Sequence, residues 1–221
     1  VPVDTLFSGF RRMVRDLAGE LGKEVGLELK GTDTELDKNV VEALKDPLLH
    51  IIRNSIDHGI EPGEEREASG KPRKGTVTLS AYYSGAHVAI DVLDDGKGFD
   101  PERIRSKAIE RGVISPQNAL SESEVLQLVF EPGFSTTETA TSVSGRGVGM
   151  DVVKQNIEKL GGTVGLESSP GEGTRISIRI PLTLAIVEGL LAEIGGGYYL
   201  VNLSYIVECL DYRNLSHDTS Q

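Results

Sequence analysis

The sequence predicts an α+β fold, a two-layer sandwich with helices on one face of a mixed, mainly antiparallel sheet. Helical and strand-like stretches are grouped rather than strictly alternating, which argues against a wound parallel sheet. The strand-like stretches come in pairs joined by short glycine-containing turns, as hairpins require. The length of 221 residues allows one good-sized domain, or one domain and a fragment.

The elements follow in chain order. Leu6, Phe7, Phe10, Met13, Val14, Leu17 and Leu21 recur at spacings of three and four, the period of an amphipathic helix. Val25, Leu27 and Leu29 then alternate with Gly26, Glu28 and Lys30, which predicts a short strand. A second helical stretch is interrupted at Pro47. There Asp46 fits an N-cap, Pro47 the first helical position and Gly59 the C-terminal stop. From Glu61 to Gly75 the chain is charged and rich in Gly and Pro, as a loop or exposed arm would be. Thr76–Tyr83 and His87–Leu93 alternate and meet at Ser84-Gly85-Ala86, a hairpin.

Asp100-Pro101 opens a further helix to about Arg111. Ser135 to Ser144 is dominated by Ser and Thr without apolar period, and is expected to be a mobile loop. A helix from about Val148 to Leu160 stops at Gly161-Gly162. Strands Thr163–Glu167 and Thr174–Ile180 flank the turn Ser169-Pro170-Gly171-Glu172-Gly173. After Pro181 the character changes, with Leu184–Ile194 and Tyr198–Leu203 forming one more hairpin around Gly195-Gly196-Gly197. These features divide the chain into a linker helix (1–24), a main domain (25–182) and a terminal piece (183–221).

Composition narrows the function. With 23 basic and 34 acidic residues the net charge is −11. Such a chain repels phosphate polymers, so binding to nucleic acid or to an anionic membrane is not expected. A nucleotide remains possible if Mg²⁺ and local N–H groups neutralise it. The single cysteine, Cys209, excludes an internal disulfide and suits a reducing, cytoplasmic compartment. The most apolar stretch, Leu182 to Ile194, is too short to span a bilayer and is broken by Glu188 and Glu193. The N-terminus has neither the basic and apolar regions of a signal peptide nor a methionine, so the chain is expected to be a piece of a longer one.

Three constellations carry chemistry. His50, Arg53, Asn54, Asp57 and His58 fall within a sector of roughly 140° at ~100° per residue, with Ile51, Ile52, Ser55 and Ile56 turned to the sheet. Taken alone, this is also what the wet stripe of a core helix looks like. As a site, Asn54 offers an oxygen to Mg²⁺, Arg53 and His58 meet phosphates, and His50 is placed for proton transfer. Asp94-Asp95-Gly96-Lys97-Gly98 directly follows a strand, and serves either as a plain turn or as a base reader. In the second role the Asp94 carboxylate accepts from the exocyclic amine of adenine, while Gly96 and Gly98 let the backbone approach the base. Gly145-Arg146-Gly147-Val148-Gly149 leads into a helix, where free N–H groups and the helix dipole suit a phosphate. Its spacing is neither the dinucleotide-binding GxGxxG nor a P-loop.

In this order the motifs resemble the GHKL superfamily of ATPases and kinases over roughly residues 25 to 182. Asp46-Pro47-Leu48-Leu49-His50-Ile51-Ile52-Arg53-Asn54-Ser55-Ile56-Asp57-His58-Gly59-Ile60-Glu61-Pro62, Glu131-Pro132-Gly133-Phe134-Ser135-Thr136 and Gly145-Arg146-Gly147-Val148-Gly149-Met150-Asp151-Val152-Val153 are similar to signatures of its chemotaxis histidine kinases, the CheA family. The resemblance implies the GHKL ATP-binding fold, with ATP and Mg²⁺ as ligands. It makes Asn54 the Mg²⁺ ligand, His50 the candidate catalytic base and Asp94 the adenine acceptor. Arg53, His58 and Arg103 become phosphate contacts, although lysine is frequent in the family where Arg103 stands. Asp57, Gly96, Gly98 and the run Ser144, Gly145, Arg146, Gly147, Val148 and Gly149 complete the nucleotide contacts, with Gly145, Gly147 and Gly149 as the hinge of a lid. Residues 183–221 resemble the start of a CheW-like regulatory domain.

The gyrase-like and MutL-like members carry a water-activating glutamate four residues before the Mg²⁺-binding asparagine, where His50 stands here. That favours phosphoryl transfer to an acceptor over hydrolysis; a hydrolase and a non-catalytic nucleotide module are the alternatives. None of the four histidines lies in a helical substrate motif, with His87 at a hairpin and His217 in a polar tail. The implied partners are therefore a separate histidine-phosphotransfer domain and, through the regulatory domain, a coupling protein and chemoreceptors. The fragment is expected to be a monomer and its parent a dimer.

Overall fold

The computed structural model describes residues 1–132, 134, 149–182 and 189–202. The chain forms two compact units, 1–182 and 183–221.

The first unit opens with α1 (Asp4–Glu20), which buries Phe7, Phe10, Val14 and Leu17, the stripe its period predicts. β1 (Val25–Lys30) follows. Helix α2 (Lys38–Asn54) then runs unbroken through Pro47. This corrects the expected interruption. The N-cap is Asp37, whose carboxylate accepts from the Asn39 N–H at 2.8 Å, while Asp46 is an exposed residue in mid-helix. Pro47 is buried and donates no hydrogen bond to the Ala43 carbonyl. Ala43 is exposed, so water can take that bond.

Helix α2 widens into a π-helical turn at Ser55–Gly59. Lys23, at the end of the α1–β1 connection, holds this turn by donating to the carbonyls of Ile56 and Asp57 at 2.8 and 2.7 Å. The stretch expected to be a loop or exposed arm contains α3 (Gly63–Ala68), which anchors a fully buried arginine, Arg66. A charge does not enter an interior without partners, and periodicity alone does not show them.

The hairpin strands β2 (Gly75–Ser84) and β3 (His87–Asp94) form as expected. Next come α4 (Pro101–Glu110), capped by Asp100, and α5 (Glu122–Gln127) with a 3₁₀ turn at Leu128–Phe130. Helix α5 is not among the expected elements; its start is a capping box of Ser121 and Glu124. Helix α6 (Met150–Lys159) and strands β4 (Thr163–Ser169) and β5 (Gly173–Pro181) complete the unit.

The sheet order is β1-β2-β3-β5-β4. β1 runs parallel to β2, and all other neighbours are antiparallel. Burial alternates along β2 and β5, so Val77, Leu79, Ile176 and Ile178 point to the helices. They join Leu44, Leu48, Ile51, Ile52 and Ile157 in one core between the sheet and helices. The expected α+β sandwich on a mixed sheet is the observed fold. In the second unit, β6 (Gly189–Ile194) and β7 (Gly197–Asn202) pair as an antiparallel hairpin.

Candidate functional site

A cavity of about 880 Å³ opens between the end of α2, the β3–α4 connection, helix α4 and the start of α6. Its lining includes the apolar Ile51, Val129, Leu166 and Ile176 and the buried carboxylate of Asp94. Lys97, Arg103, Lys107 and His58 bring cationic or basic groups to the wall, beside the acids Asp100 and Glu110. Apolar lining beside a buried acceptor suits a heteroaromatic base, and cationic side chains suit its phosphates.

Asp94 is 9% exposed. Burial raises its carboxyl above the ordinary value, against the pull of the Ser55 hydroxyl and the Gly96 and Thr174 N–H groups and with a further push from Asp95. The Gly96 N–H donates to its Oδ1 at 3.0 Å. Gly98, with φ +69°, lines the cavity, and a Cβ there would stand 2.1 Å from the Ser169 carbonyl oxygen. Gly96 does not line it. A Cβ at Gly96 would fall 2.3 Å from the Gly59 oxygen, so its missing side chain lets the turn pack on the end of the π-helical turn.

Helix α2 presents His50, Ile51 and Asn54 to the cavity, and Ser55 and His58 follow from the π-helical turn. The face that meets the cavity is thus rotated toward Ile51 and Ser55, which the sequence reading turned to the sheet. Arg53, on the opposite edge of the expected sector, instead lines a separate groove along α1 with Arg12, Met13 and Asp16. Asp57 is also outside the lining; its carbonyl is held by Lys23 and its carboxylate stands 3.7 Å from His58 Nε2. Arg53 and Asp57 are therefore not brought into the cavity with the others.

The His50 imidazole is held below the ordinary histidine value, first by burial, then by the Arg53 and His58 charges, against the opposing pull of Asp151. At neutral pH it is an uncharged base. The Asn54 amide nitrogen donates to Met150 Sδ at 3.3 Å. The amide oxygen is the atom of that side chain suited to a hard cation. Among the described residues no group of three or more His, Cys, Asp or Glu could hold a metal. The donor set therefore fits Mg²⁺ only as an ion shared with ligand phosphates, which is how Mg²⁺ is usually bound.

Arg103 lines the cavity from α4, and Lys107 stands one helical turn further on. Lys107 was not singled out from the sequence, yet its spacing of four from Arg103 places it on the same face. Lys97, inside the Asp94–Gly98 motif, lines the cavity as well. Gly149 and Met150, at the start of α6, line the wall. Ser144, Gly145, Arg146, Gly147 and Val148 lie outside the described residues, as does the expected mobile loop from Ser135 to Ser144.

Residues 43–184 match the family model described as histidine kinase-, DNA gyrase B-, and HSP90-like ATPase. Over 209 residues, 94% of the chain, the sequence is 54% identical to the sensor histidine kinase CheAY of Helicobacter pylori, covering 26% of that protein. It is 51% identical over 208 residues to the chemotaxis protein CheA of Treponema pallidum, with 94% of this chain and 26% of that protein covered. It is 49% identical over 213 residues to CheA of Salmonella typhimurium, with coverage of 96% and 32%. The chain thus spans a quarter to a third of the length of these relatives. Among solved structures, the catalytic domain of the histidine kinase ThkA superposes with a TM-score of 0.53 at 16% identity, covering 83% of this chain and 94% of that one. The mycobacterial sensor histidine kinase MprB gives 0.52 at 20% identity, with coverage of 82% and 96%. These two likenesses concern the fold.

Proposed function

The chain belongs to the histidine kinase-, DNA gyrase B- and HSP90-like ATPase family, and from that premise we propose that it is the catalytic core of a chemotaxis histidine kinase. It would bind Mg-ATP and pass the γ-phosphoryl group to a histidine on a separate phosphotransfer domain. The observation that carries this reading is the α2 wall of the cavity, where His50 stands one turn before Asn54 and is held in its neutral form. A carboxylate at that position would activate water; a neutral imidazole suits a histidine acceptor.

The roles follow from placement. Asp94 accepts from the adenine amine. Arg103, Lys107, Lys97 and His58 meet the phosphates. Asn54 would hold the Mg²⁺ that neutralises the phosphate charge as transfer proceeds. The acceptor nitrogen forms a bond to the γ-phosphorus while the bond to the β–γ bridging oxygen breaks and ADP leaves. His50 orients the acceptor and takes its proton. A coupling protein and receptors as partners, and a cytoplasmic location, belong to the same reading; among the described residues no helix is long and apolar enough to cross a membrane.

Incubation with γ-labelled ATP, with and without a histidine-phosphotransfer domain, tests the proposal. Label is expected on the added domain and not on this chain. Removing a general base costs ~10²–10⁴ in rate, so His50→Gln should transfer at least about tenfold more slowly at nearly unchanged Mg-ATP affinity. Asn54→Ala should lose both binding and transfer. Release of phosphate to water at the same rate without the added domain would make the protein a hydrolase instead.

A further inference from the structure

Outside the cavity, a dense polar cluster is built around α3 and its flanks. Arg66 is fully buried, and its guanidinium is committed in three directions. Nε donates to the Pro72 carbonyl at 2.8 Å; Nη1 donates to Glu61 Oε2 and to the Asp95 carbonyl, both at 3.0 Å; Nη2 donates to Asp95 Oδ2 at 2.9 Å. Lys71 adds bonds to Glu61 Oε1 at 2.7 Å, the Asp95 carbonyl at 3.1 Å and the Gly96 carbonyl at 2.7 Å. The remaining oxygen of the Asp95 carboxylate accepts from the Thr76 N–H at 2.9 Å. Burial pushes the Glu61 carboxyl up, but the hydrogen bond from Lys71 and the charges of Lys71 and Arg66 outweigh it and hold the group ionised.

An ion cluster around a buried guanidinium is weak evidence for stability, because desolvation of the buried charge offsets its attraction. Its geometry has a clear target. Every group of Asp95 and Gly96 that these cations touch belongs to the turn that aims Asp94. The side chain of Asp94 enters the cavity while that of its neighbour points into the cluster. The Gly96 N–H that bonds Asp94 Oδ1 belongs to the residue whose carbonyl Lys71 holds.

We propose that Arg66 and Lys71 are positioning residues for base selection, acting through Asp95 and Gly96 to hold the Asp94 carboxylate at the angle that accepts from adenine. The inference rests on the nucleotide reading above. Adenine carries an amine where guanine carries a carbonyl, so a fixed carboxylate accepts from one and repels the other. A loosened carboxylate discriminates less. Lysine cannot reproduce the guanidinium fork, which makes Arg66→Lys a substantial change at unchanged charge.

The test measures ATP and GTP affinity by calorimetry for the whole chain, Arg66→Lys and Lys71→Met, at a temperature where each is folded by circular dichroism. Both variants are expected to bind ATP about tenfold more weakly and to show a narrower ATP-to-GTP ratio. A purely structural role would lower the melting temperature and leave that ratio unchanged, which overturns the proposal. If Arg66→Lys does not fold, Lys71→Met decides, since the Lys71 side chain is 19% exposed. If the wild type binds no adenine nucleotide, the reading of the cavity fails and the inference falls with it; if only the variants behave as wild type, the positioning role alone fails.

Discussion

At the scale of single residues, Asp94 shows a functional group held against its own solvation. A carboxyl whose value is raised in the folded state is stabilising while protonated, and that contribution is lost as pH rises from the unfolded value through the folded one. At neutral pH the buried charge therefore weakens the fold. Asp94→Asn keeps an acceptor for the Gly96 N–H and removes the charge. Its melting temperature should equal or exceed that of the wild type at pH 7, and the difference should shrink as pH falls toward the ordinary aspartate range. Losing a charged hydrogen bond to the base should weaken ATP binding roughly ten- to hundredfold, at ~1.5–3 kcal/mol. Calorimetric titration beside thermal melts separates the two effects. Unchanged affinity would remove Asp94 from base recognition.

At the scale of elements, α2 decides how the cavity wall is presented. Its cap is Asp37 and not Asp46, because the helix starts nine residues before Pro47. The proline does not break it, since the carbonyl that loses its partner is on the exposed Ala43 and the ring itself is buried. Capping losses are about 1 kcal/mol, and for a domain of this size that lowers the melting temperature by about 2–4 °C. Asp37→Ala should show that drop. Asp46→Ala, at an exposed mid-helix site, should stay within about 0.5 kcal/mol of the wild type. The opposite ranking in thermal melts would restore the helix start at Pro47. Beyond Asn54 the π-helical turn, pinned by Lys23, carries His58 into the cavity wall and leaves Asp57 outside it.

At the scale of the whole molecule, the five-stranded sheet, its helices and the cavity all belong to residues 1–182. The described part of the second unit is one hairpin, with Tyr198 and Tyr199 exposed. An isolated two-stranded hairpin is marginal in water, so it should contribute no unfolding transition of its own. A chain ending after Leu182 should bind ATP with the affinity of the full chain and melt in one transition. A large loss of affinity on truncation would show that residues 183–221 complete the nucleotide site.

How much of this was legible in the sequence follows the range over which each interaction acts. Hydrophobic period and turn chemistry act within a few residues, so α1, the β2–β3 hairpin, the Asp100 cap and the fold class could all be read. That His50 and Asn54 share one helix face, and that Asp94 and Gly98 lie in the turn after a strand, was legible for the same reason. What lay beyond the sequence depends on partners distant along the chain. Whether Arg53 faces the cavity or α1 depends on the groove formed with Arg12 and Asp16. Arg66 is buried with Glu61 and Pro72 close by in sequence, but half of its bonds go to Asp95, 29 residues away. The end of α2 is held by Lys23, 33 residues before Ile56. A charge or a widened turn is tolerable only when such partners converge, and that convergence exists only once the chain has folded.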